Sequence, residues 1–175
     1  IRDSSNAVLE FFGESRAVLT QKQEDAGIKP SAFDGTNFGF HVGQGAAFAV
    51  FESDKAVEKL GISPHAELVG AYNASEASTN AIGQCEDGQG FIKATEGALH
   101  YSKTRPEDIK IIKTHGTGTE SNNKAEKTAL TSLFNEFVAT SYKQKIGHTM
   151  GSSGLLESLL LLDDMKKGFV PPIEN

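Results

Sequence analysis

Two histidines and a lysine in the second half of the chain have the types and spacing needed for chemistry on an anion. His115 is followed by the small-residue turn 116–119, and Lys143 precedes His148 by five positions. Imidazole N–H groups and an ammonium group stabilise an oxygen atom that gains negative charge during a reaction. These residues therefore indicate a site at which an oxyanion or an enolate forms.

Two short apolar runs are predicted to bring these side chains to one edge of a sheet. The runs 109–113 and 137–142 flank a segment with helical periodicity, which predicts a strand–helix–strand unit with parallel strands. The first histidine follows the first run, whereas the lysine and the second histidine follow the second run. Because ligands of open α/β sheets bind at the carboxyl ends of parallel strands, we expect one shared site there. The helix start at 151–154 adds N–H groups that favour negative charge.

The residues around both histidines resemble two motifs of β-ketoacyl-acyl carrier protein synthases, the ketosynthases of fatty acid and polyketide assembly. The segments that carry the resemblance are His-Gly-Thr-Gly-Thr at 115–119, Glu126, Tyr-Lys-Gln-Lys-Ile-Gly-His at 142–148, Gly-Ser-Ser-Gly at 151–154, the glycine-rich segment 39–47 and Pro-Pro-Ile-Glu-Asn at 171–175. The two histidine motifs are specific, whereas the glycine-rich segment alone would be a weak signal. The resemblance extends from Phe33 to the end of the chain.

The resemblance implies an α/β chain with part of the thiolase-like layered fold. In that fold the parallel strand–helix–strand core lies beside a buried apolar helix, for which the leucine-rich run at 155–167 is the candidate. The chain would form one structural unit over residues 1–175. Residues 1–85 would be the tail of the family's N-terminal half, and residues 86–175 would begin its C-terminal half.

The reaction that the resemblance implies is a decarboxylative Claisen condensation of malonyl-acyl carrier protein with an acyl thioester. His115 and His148 would each donate an N–H to the malonyl thioester oxygen as carbon dioxide leaves, and so stabilise the enolate. Lys143, paired with Glu126, would hold one imidazole in place and keep the local field positive.

Three further residues are expected to shape the loops around the histidines rather than to react. They are Thr117, Thr119 and Gly147. The resemblance implies no cofactor and no metal, because the thioester and the carboxylate carry the driving force. No set of cysteine, histidine and carboxylate residues has metal-ligand spacing in the sequence. His41, His65 and His100 are expected to have no chemical role.

The sequence departs from the family at the nucleophile. Cys85, the sole cysteine, lies in the acidic stretch 83–88, and acidic neighbours disfavour a thiolate. The family's nucleophilic cysteine belongs to its first half, so this chain alone is expected to be inactive in condensation. The start at Ile1 rather than at a methionine suggests a processed chain or an excised fragment. Asn123 stands where the family often has aspartate.

Two functions of different classes fit these observations. The first is the C-terminal portion of a catalytic ketosynthase. The second is a non-catalytic partner like the chain-length factors that pair with ketosynthases in polyketide systems. Both histidines and the lysine favour the first, because a scaffold has no need of them. A degradative thiolase fits less well, since that family uses a different glycine–histidine pattern and a second cysteine.

Composition and charge restrict the partners and the compartment. The 175 residues are 38% hydrophobic and 23% charged, and the formal net charge of −6 gives no electrostatic footprint for nucleic acid. No signal peptide is visible, and the most apolar run, 155–162, contains Glu157 and is too short to span a bilayer. A single cysteine fits a reducing cytoplasm. The expected partners are acyl carrier protein, malonyl and acyl thioesters, and a second subunit in a homodimer or heterodimer.

Periodicity predicts further elements around the central unit. Helices are predicted at 4–20, 54–60, 91–102 and, as the crossover of the central unit, along the row Ala125, Ala129, Leu133 and Phe137. Short buried strands are predicted at 48–51 and 66–72, and polar loops at 21–30 and 74–90. Thr119 or Ser121 is expected to cap the crossover helix, and Gly61 and Gly168 to end the helices that precede them.

Overall fold

The computed structural model describes residues 12, 15, 17–76 and 85–173. Within these residues the helices are α1 (Gln21–Asp25), α2 (Asp54–Leu60), α3 (Gln89–Ser102), α4 (Glu120–Leu133), α5 (Lys143–Ile146) and α6 (Ser153–Lys166). The strands are β1 (Ile111–Lys113) and β2 (Val138–Thr140), and 3₁₀ turns lie at Pro106–Asp108 and Met150–Ser152. No helix in the described ranges combines the length and the apolar composition that a bilayer span requires.

The centre of the fold is the unit β1–α4–β2, and the predicted parallel pairing of its strands is confirmed. Ile111 lies opposite Val138, and Lys113 lies opposite Thr140. The β-branched residues of both runs suit a pleated surface, and α4 is the crossover that a parallel pair requires. Both strands therefore end at the same edge, from which the histidine loops leave.

Small residues on one face of α4 let this helix approach its neighbours closely. Ala125 and Ala129 are buried, as their spacing predicts. A Cβ on Gly88, the residue before α3, would lie 2.4 Å from the carbonyl oxygen of Ala125, so α3 begins directly against α4. The helix ends at Leu133, and Phe137 is not part of it, contrary to the predicted row, because the backbone becomes extended at the next residue.

The helices predicted at 54–60 and 91–102 are confirmed. α2 begins after Ser53, whose side chain accepts the backbone N–H of Ala56, and it ends at Gly61, where φ is 61°. α3 includes the whole of the second predicted segment and begins slightly earlier. Capping residues and apolar periodicity are therefore sufficient to predict these two helices from the sequence.

A short helix, α1, lies in the stretch 21–30 that composition predicts as a polar loop. Its signal is a capping box, in which the backbone N–H of Thr20 donates to the side-chain oxygen of Gln23 over 2.8 Å. The loop prediction is therefore wrong for the first part of this stretch, because local capping outweighs polar composition.

The helix predicted at 4–20 falls largely outside the described residues. Where the structure describes its end, at 17–20, the backbone is not helical, and Val18 forms a parallel bridge with Phe40. The backbone N–H of Leu19 donates to the carbonyl oxygen of Phe40 over 3.3 Å. The helix prediction is wrong at these four residues, because pairing with the glycine-rich segment competes with local helix formation.

The strands predicted at 48–51 and 66–72 are wrong for this chain. Neither stretch is paired, and their apolar side chains are exposed: Phe48 by 90%, Val50 by 85% and Leu68 by 68%. A short apolar run forms a strand only where a neighbour completes its hydrogen bonds. No strand lies beside either run among the described residues, so the strand propensity of both runs is not realised.

The apolar helix α6 lies against β1 through one face. Ser153 and Glu157 are its buried residues, whereas its leucines are half-buried and Met165 is exposed. The helix is present where the leucine-rich run predicts it. Its cover is thinner than that run suggests, because the sheet within the described residues has two strands.

Candidate functional site

His115 and His148 lie edge to face, with their ring centroids 5.5 Å apart and their planes at 83°. His115 leaves the end of β1, and His148 follows α5, the short helix after β2. Phe40 contacts the second ring, with centroids 4.9 Å apart. The structure thus brings the two histidines together at the carboxyl ends of the parallel strands, where their positions in the sequence place them.

The glycine-rich segment 39–47 positions the second histidine through its backbone. The N–H of His148 donates to the carbonyl oxygen of His41 over 2.7 Å, and the N–H of Gly43 donates to the carbonyl oxygen of His148 over 2.9 Å. A Cβ on Gly147 would lie 2.7 Å from the nitrogen of Gly43, so a side chain there would separate the two segments. The segment that is a weak signal in sequence therefore locates one imidazole.

The protonation state of His148 follows from its surroundings. The backbone N–H of Met150 donates to its Nδ1 over 3.2 Å, and a neutral imidazole that accepts at Nδ1 carries its proton on Nε2. Burial and then the charge of Lys143 lower the pKa of His148 to about 4, with Glu157 opposing and Lys113 adding to the shift. The ring is therefore a neutral N–H donor at pH 7.

His115 is neutral at pH 7 for the same physical reasons. Burial, followed by the charges of Lys143, His148 and Lys113, lowers its pKa to about 4, while Glu157 opposes the shift. Two neutral imidazoles can each offer an N–H to one anionic oxygen, and the nearby ammonium groups supply the positive field.

Glu126 holds the backbone of the first histidine loop. Its carboxylate accepts the N–H of His115 at 2.5 Å and that of Gly116 at 2.9 Å, and Asn122, one turn earlier on α4, donates to it at 3.1 Å. The residue is 5% exposed. Backbone hydrogen bonds to a buried carboxylate are strong because the acceptor is charged. Glu126 therefore fixes the direction in which the loop presents His115.

The predicted pairing of Lys143 with Glu126 is wrong. Lys143 Nζ lies 2.6 Å from Oε1 of Glu157, and Lys113 Nζ lies 3.1 Å from Oε2 of the same carboxylate. Both oxygens of Glu126 already accept backbone N–H groups, whereas Glu157 is fully buried and needs cationic partners. Glu157 had no predicted role, although a lone carboxylate in a leucine-rich helix is a signal of a buried charge pair.

The Glu157 carboxylate is charged despite its burial. Burial alone would raise its pKa, but hydrogen bonds from Lys143 and Ser153 and the charges of Lys113 and Lys143 lower it below the ordinary value. The Ser153 hydroxyl donates to Oε1 over 2.5 Å. Burial is the largest influence on Lys143 and lowers its pKa, while the bond to Glu157 opposes that shift. A buried anion with three hydrogen-bond donors, Lys143, Ser153 and Lys113, therefore lies beside the site.

The three residues expected to support the loops lie on the loops that carry the histidines. Thr117 and Thr119 share a hydroxyl hydrogen bond of 3.0 Å. Thr119 is also the N-cap of α4, although its side chain makes no cap bond. Gly147 has φ 73° and ψ 176°, a conformation that favours glycine. Their supporting role stays a prediction.

The other three histidines have contacts outside this pair. Nδ1 of His41 lies 2.7 Å from a carboxylate oxygen of Glu24 near the surface. His65 contacts Lys166 at 2.8 Å, and His100 is exposed on α3. Only the backbone of His41 takes part in the site, through the bond described above.

Potential ligand atoms of Glu76, Cys85 and Asp87 lie within 4.8 Å of one another. Their spacing in the sequence gives no reason to expect this group. Glu76 accepts the backbone N–H of Cys85 over 3.2 Å, and Asp87 accepts that of Gln89 over 3.1 Å. Both carboxylates thus have roles in the turn that precedes α3, and we assign no metal to them.

Comparison with known proteins identifies the family to which this chain belongs. Residues 65–175 match the family model described as "Beta-ketoacyl synthase, C-terminal domain". The chain is 31% identical over 172 residues to "Actinorhodin polyketide putative beta-ketoacyl synthase 1" of Streptomyces coelicolor, and the match covers 96% of this chain and 36% of that protein. It is 27% identical over 165 residues to 3-oxoacyl-[acyl-carrier-protein] synthase 2 of Staphylococcus aureus, and this match covers 92% of this chain and 39% of that protein.

Solved structures show the same fold. "The ishigamide ketosynthase/chain length factor" superimposes with a TM-score of 0.82 at 25% identity, covering 97% of this chain and 40% of that chain. A β-ketoacyl synthase from Burkholderia phymatum has a TM-score of 0.81 at 24% identity, covering 98% and 42%. The chain spans less than half the length of these proteins, and the predicted partial thiolase-like α/β fold is confirmed. On the family match and the 31% identity together, the chain belongs to the β-ketoacyl synthase family, and its residues 65–175 carry the match to the C-terminal domain.

Proposed function

We propose that this chain supplies the histidine site of a 3-oxoacyl-[acyl-carrier-protein] synthase, which condenses malonyl-acyl carrier protein with an acyl thioester. The observation that carries the proposal is the pair of neutral imidazoles, with centroids 5.5 Å apart, and the buried Lys143 whose charge acts on both. The names of two relatives support it, since one is an oxoacyl carrier-protein synthase and the other a polyketide β-ketoacyl synthase.

The chemistry of the proposal follows the movement of one electron pair. When the malonyl carboxylate leaves as carbon dioxide, the electrons of the broken bond pass to the α-carbon, and the thioester oxygen gains negative charge. N–H groups of His115 and His148 would bind this enolate oxygen more tightly than the neutral carbonyl oxygen. The α-carbon then attacks the acyl thioester, and the thiolate that held the acyl group leaves.

The thiol that holds the acyl group is proposed to lie in another part of the synthase. Cys85 lies in the turn before α3, with Glu76 and Asp87 as neighbours, and not at the edge of the sheet that carries the two histidines. The chain covers only 36–39% of the relatives named above. We therefore expect the segment alone to be inactive in condensation, with 1–85 completing an N-terminal half and 86–175 beginning a C-terminal half.

The proposed partners are acyl carrier protein, malonyl and acyl thioesters, and a second synthase subunit. One fold neighbour, 20% identical, is described as a type II acyl-carrier protein in complex with its ketosynthase. The ishigamide structure is named for a ketosynthase and a chain length factor together. A homodimer or a heterodimer is proposed by analogy with these assemblies, and a cytoplasmic location stays a prediction.

A non-catalytic role like that of a chain-length factor is the second candidate. The observation that favours it is the match to the ishigamide ketosynthase/chain length factor. Such a subunit needs the fold but not the imidazole donors. The two candidates therefore differ in whether replacement of a site histidine removes activity.

The test measures malonyl decarboxylation by the intact protein that contains this chain. His115→Ala and His148→Ala are each expected to lower the rate by about 10²–10³, the usual effect of removing one donor to a developing oxyanion. His100→Ala removes an exposed imidazole from α3 and should leave the rate unchanged. Equal rates in the wild type and both site variants would refute the catalytic role and leave the scaffold role.

A further inference from the structure

One buried carboxylate is shared by two lysines from different elements. Glu157, on α6, is fully buried; its Oε1 lies 2.6 Å from Nζ of Lys143, and its Oε2 lies 3.1 Å from Nζ of Lys113. Lys143 begins α5, and Lys113 ends β1. The Lys113 side chain is 18% exposed, so it is the one of these two cations that water reaches more easily. Three elements thus meet in one charge cluster beside the histidine loops.

The cluster carries one positive charge more than its carboxylate neutralises. Two ammonium groups face a single carboxylate, and all three charges act on both imidazoles. Glu126, a second carboxylate nearby, acts on Lys143, and its oxygens accept the N–H groups of His115 and Gly116. Without Lys113 the remaining lysine and Glu157 would form a neutral pair.

We infer that Lys113 is a positioning residue of the histidine site. It shares the Glu157 carboxylate with Lys143, so that these three groups together carry one net positive charge beside His115 and His148. The benefit of that charge to an enolate rests on the proposed function, whereas the charge arrangement itself does not. The sequence predicts that Lys143 alone keeps the local field positive. Because the Glu157 carboxylate neutralises one ammonium group, a net positive charge in this cluster requires Lys113 as well.

Lys113 also completes the hydrogen bonding of the buried carboxylate. Oε1 of Glu157 accepts from Lys143 and from Ser153, whereas Oε2 accepts from Lys113. Removing Lys113 would take this donor from a buried anionic oxygen, which is costly in itself. A loss of stability alone would therefore not reveal the electrostatic role, and the test needs a readout at the imidazoles.

The test compares Lys113→Met with Lys110→Met in the intact protein that contains this chain. Lys110 lies three positions earlier, is exposed, and acts through its charge on Asp108, so its removal changes the formal charge equally outside the cluster. Histidine labelled with ¹³C at Cε1 reports the titration midpoint of each ring by NMR. Lys113→Met is expected to move the midpoints of His115 and His148 upward, because the protonated rings lose a repelling neighbour. Lys110→Met is expected to leave both midpoints unchanged.

Two further variants keep the comparison decisive. Lys113→Arg retains the charge and should restore both midpoints to their wild-type values. Where Lys113→Met does not fold, Lys113→Gln, whose amide can donate to Glu157, takes its place. Midpoints that do not move in the neutral variant, or that move equally in Lys110→Met, would overturn the inference. The measurement needs no substrate, so its failure is distinguishable from a failure of the decarboxylation test.

Discussion

Nδ1 of His148 accepts the backbone N–H of Met150 at 3.2 Å, and this bond decides which nitrogen of the ring carries the proton. Met150 has φ 52°, an uncommon value for a residue with a side chain, so the surroundings hold the turn in this shape. The turn that leads into α6 therefore also sets the tautomer of the histidine before it.

We expect ¹⁵N NMR of the histidine rings to show the Nε2–H tautomer for His148 at pH 7. The reason is that Nδ1 is occupied as an acceptor while burial keeps the ring neutral. The exposed ring of His100 provides the comparison and should average over both tautomers. A proton found on Nδ1 of His148 would contradict the assignment of this ring as a donor through Nε2.

Replacing Glu126 with glutamine should destabilise the first histidine loop. Gln retains one acceptor oxygen but loses the charge that strengthens the bonds from His115 and Gly116. We expect the free energy of unfolding to fall by about 1–3 kcal/mol, measured by denaturant titration. Glu120→Gln, on the exposed face of α4, is the matched control and should change little. Equal effects of the two substitutions would show that the loop does not depend on the buried carboxylate.

Stability should decrease as the solution becomes acidic, through the two histidines. The pKa of each ring is lowered from 6.5 to about 4 in the folded protein. Between these values the unfolded chain binds more protons than the folded chain, so the free energy of unfolding falls as the pH falls from 6.5 to 4. Denaturant titrations at pH 7 and in this window measure the effect.

Two proteins test the origin of this pH dependence: a double variant that lacks both site histidines and a single variant that lacks an exposed histidine. His115→Gln with His148→Gln should weaken the dependence, because the groups that release protons on folding are gone. His100→Gln, at an exposed position, should preserve it. The Glu157 carboxylate does not titrate in the upper part of this window, because, despite its burial, its hydrogen bonds from Lys143 and Ser153 hold its pKa below the ordinary carboxyl value. Identical pH dependence in all the proteins would refute the assigned protonation states.

Adding a methyl group at Gly43 should displace the second histidine. A Cβ there would lie 2.3 Å from the carbonyl oxygen of Ile146, too close for any real contact, and the bond from Gly43 to His148 would be strained or lost. We expect Gly43→Ala to lower the free energy of unfolding by about 1–3 kcal/mol and to slow malonyl decarboxylation in the intact protein. Gly154→Ala, where no atom lies within 4 Å of the added Cβ, should be neutral or slightly stabilising. Wild-type activity in Gly43→Ala would mean that this contact does not locate the ring.

The meeting of the two histidine loops at one edge of the sheet could be predicted from the sequence. The apolar runs before His115 and Lys143 predict parallel strands, and parallel strands end at one edge whatever their exact limits. The partner of Lys143 could not be predicted in the same way. Glu126 and Glu157 are both candidate partners of the Lys143 ammonium group. Lys143 pairs with Glu157 because backbone N–H groups already occupy the Glu126 carboxylate. Sequence spacing contains no information on that competition.

The elements that the sequence did not predict correctly have two different causes. α1 was missed although its signal, Thr20 followed three residues later by Gln23, was visible. The runs 48–51 and 66–72 have strand-forming residues, but a strand is defined by its neighbour as much as by itself. Their exposed side chains and missing ladder partners show that strand propensity alone does not form a strand.

The peptide group of His148 is tied on both sides to positions 41 and 43, about a hundred residues earlier in the chain. Closing a loop of that length costs conformational entropy that is recovered only when both segments are docked. We therefore expect the pair of imidazoles to be completed only when these two distant segments meet during folding. Hydrogen exchange at the amide of residue 148 should accordingly report the opening of the reactive centre as a whole, rather than the fraying of one loop.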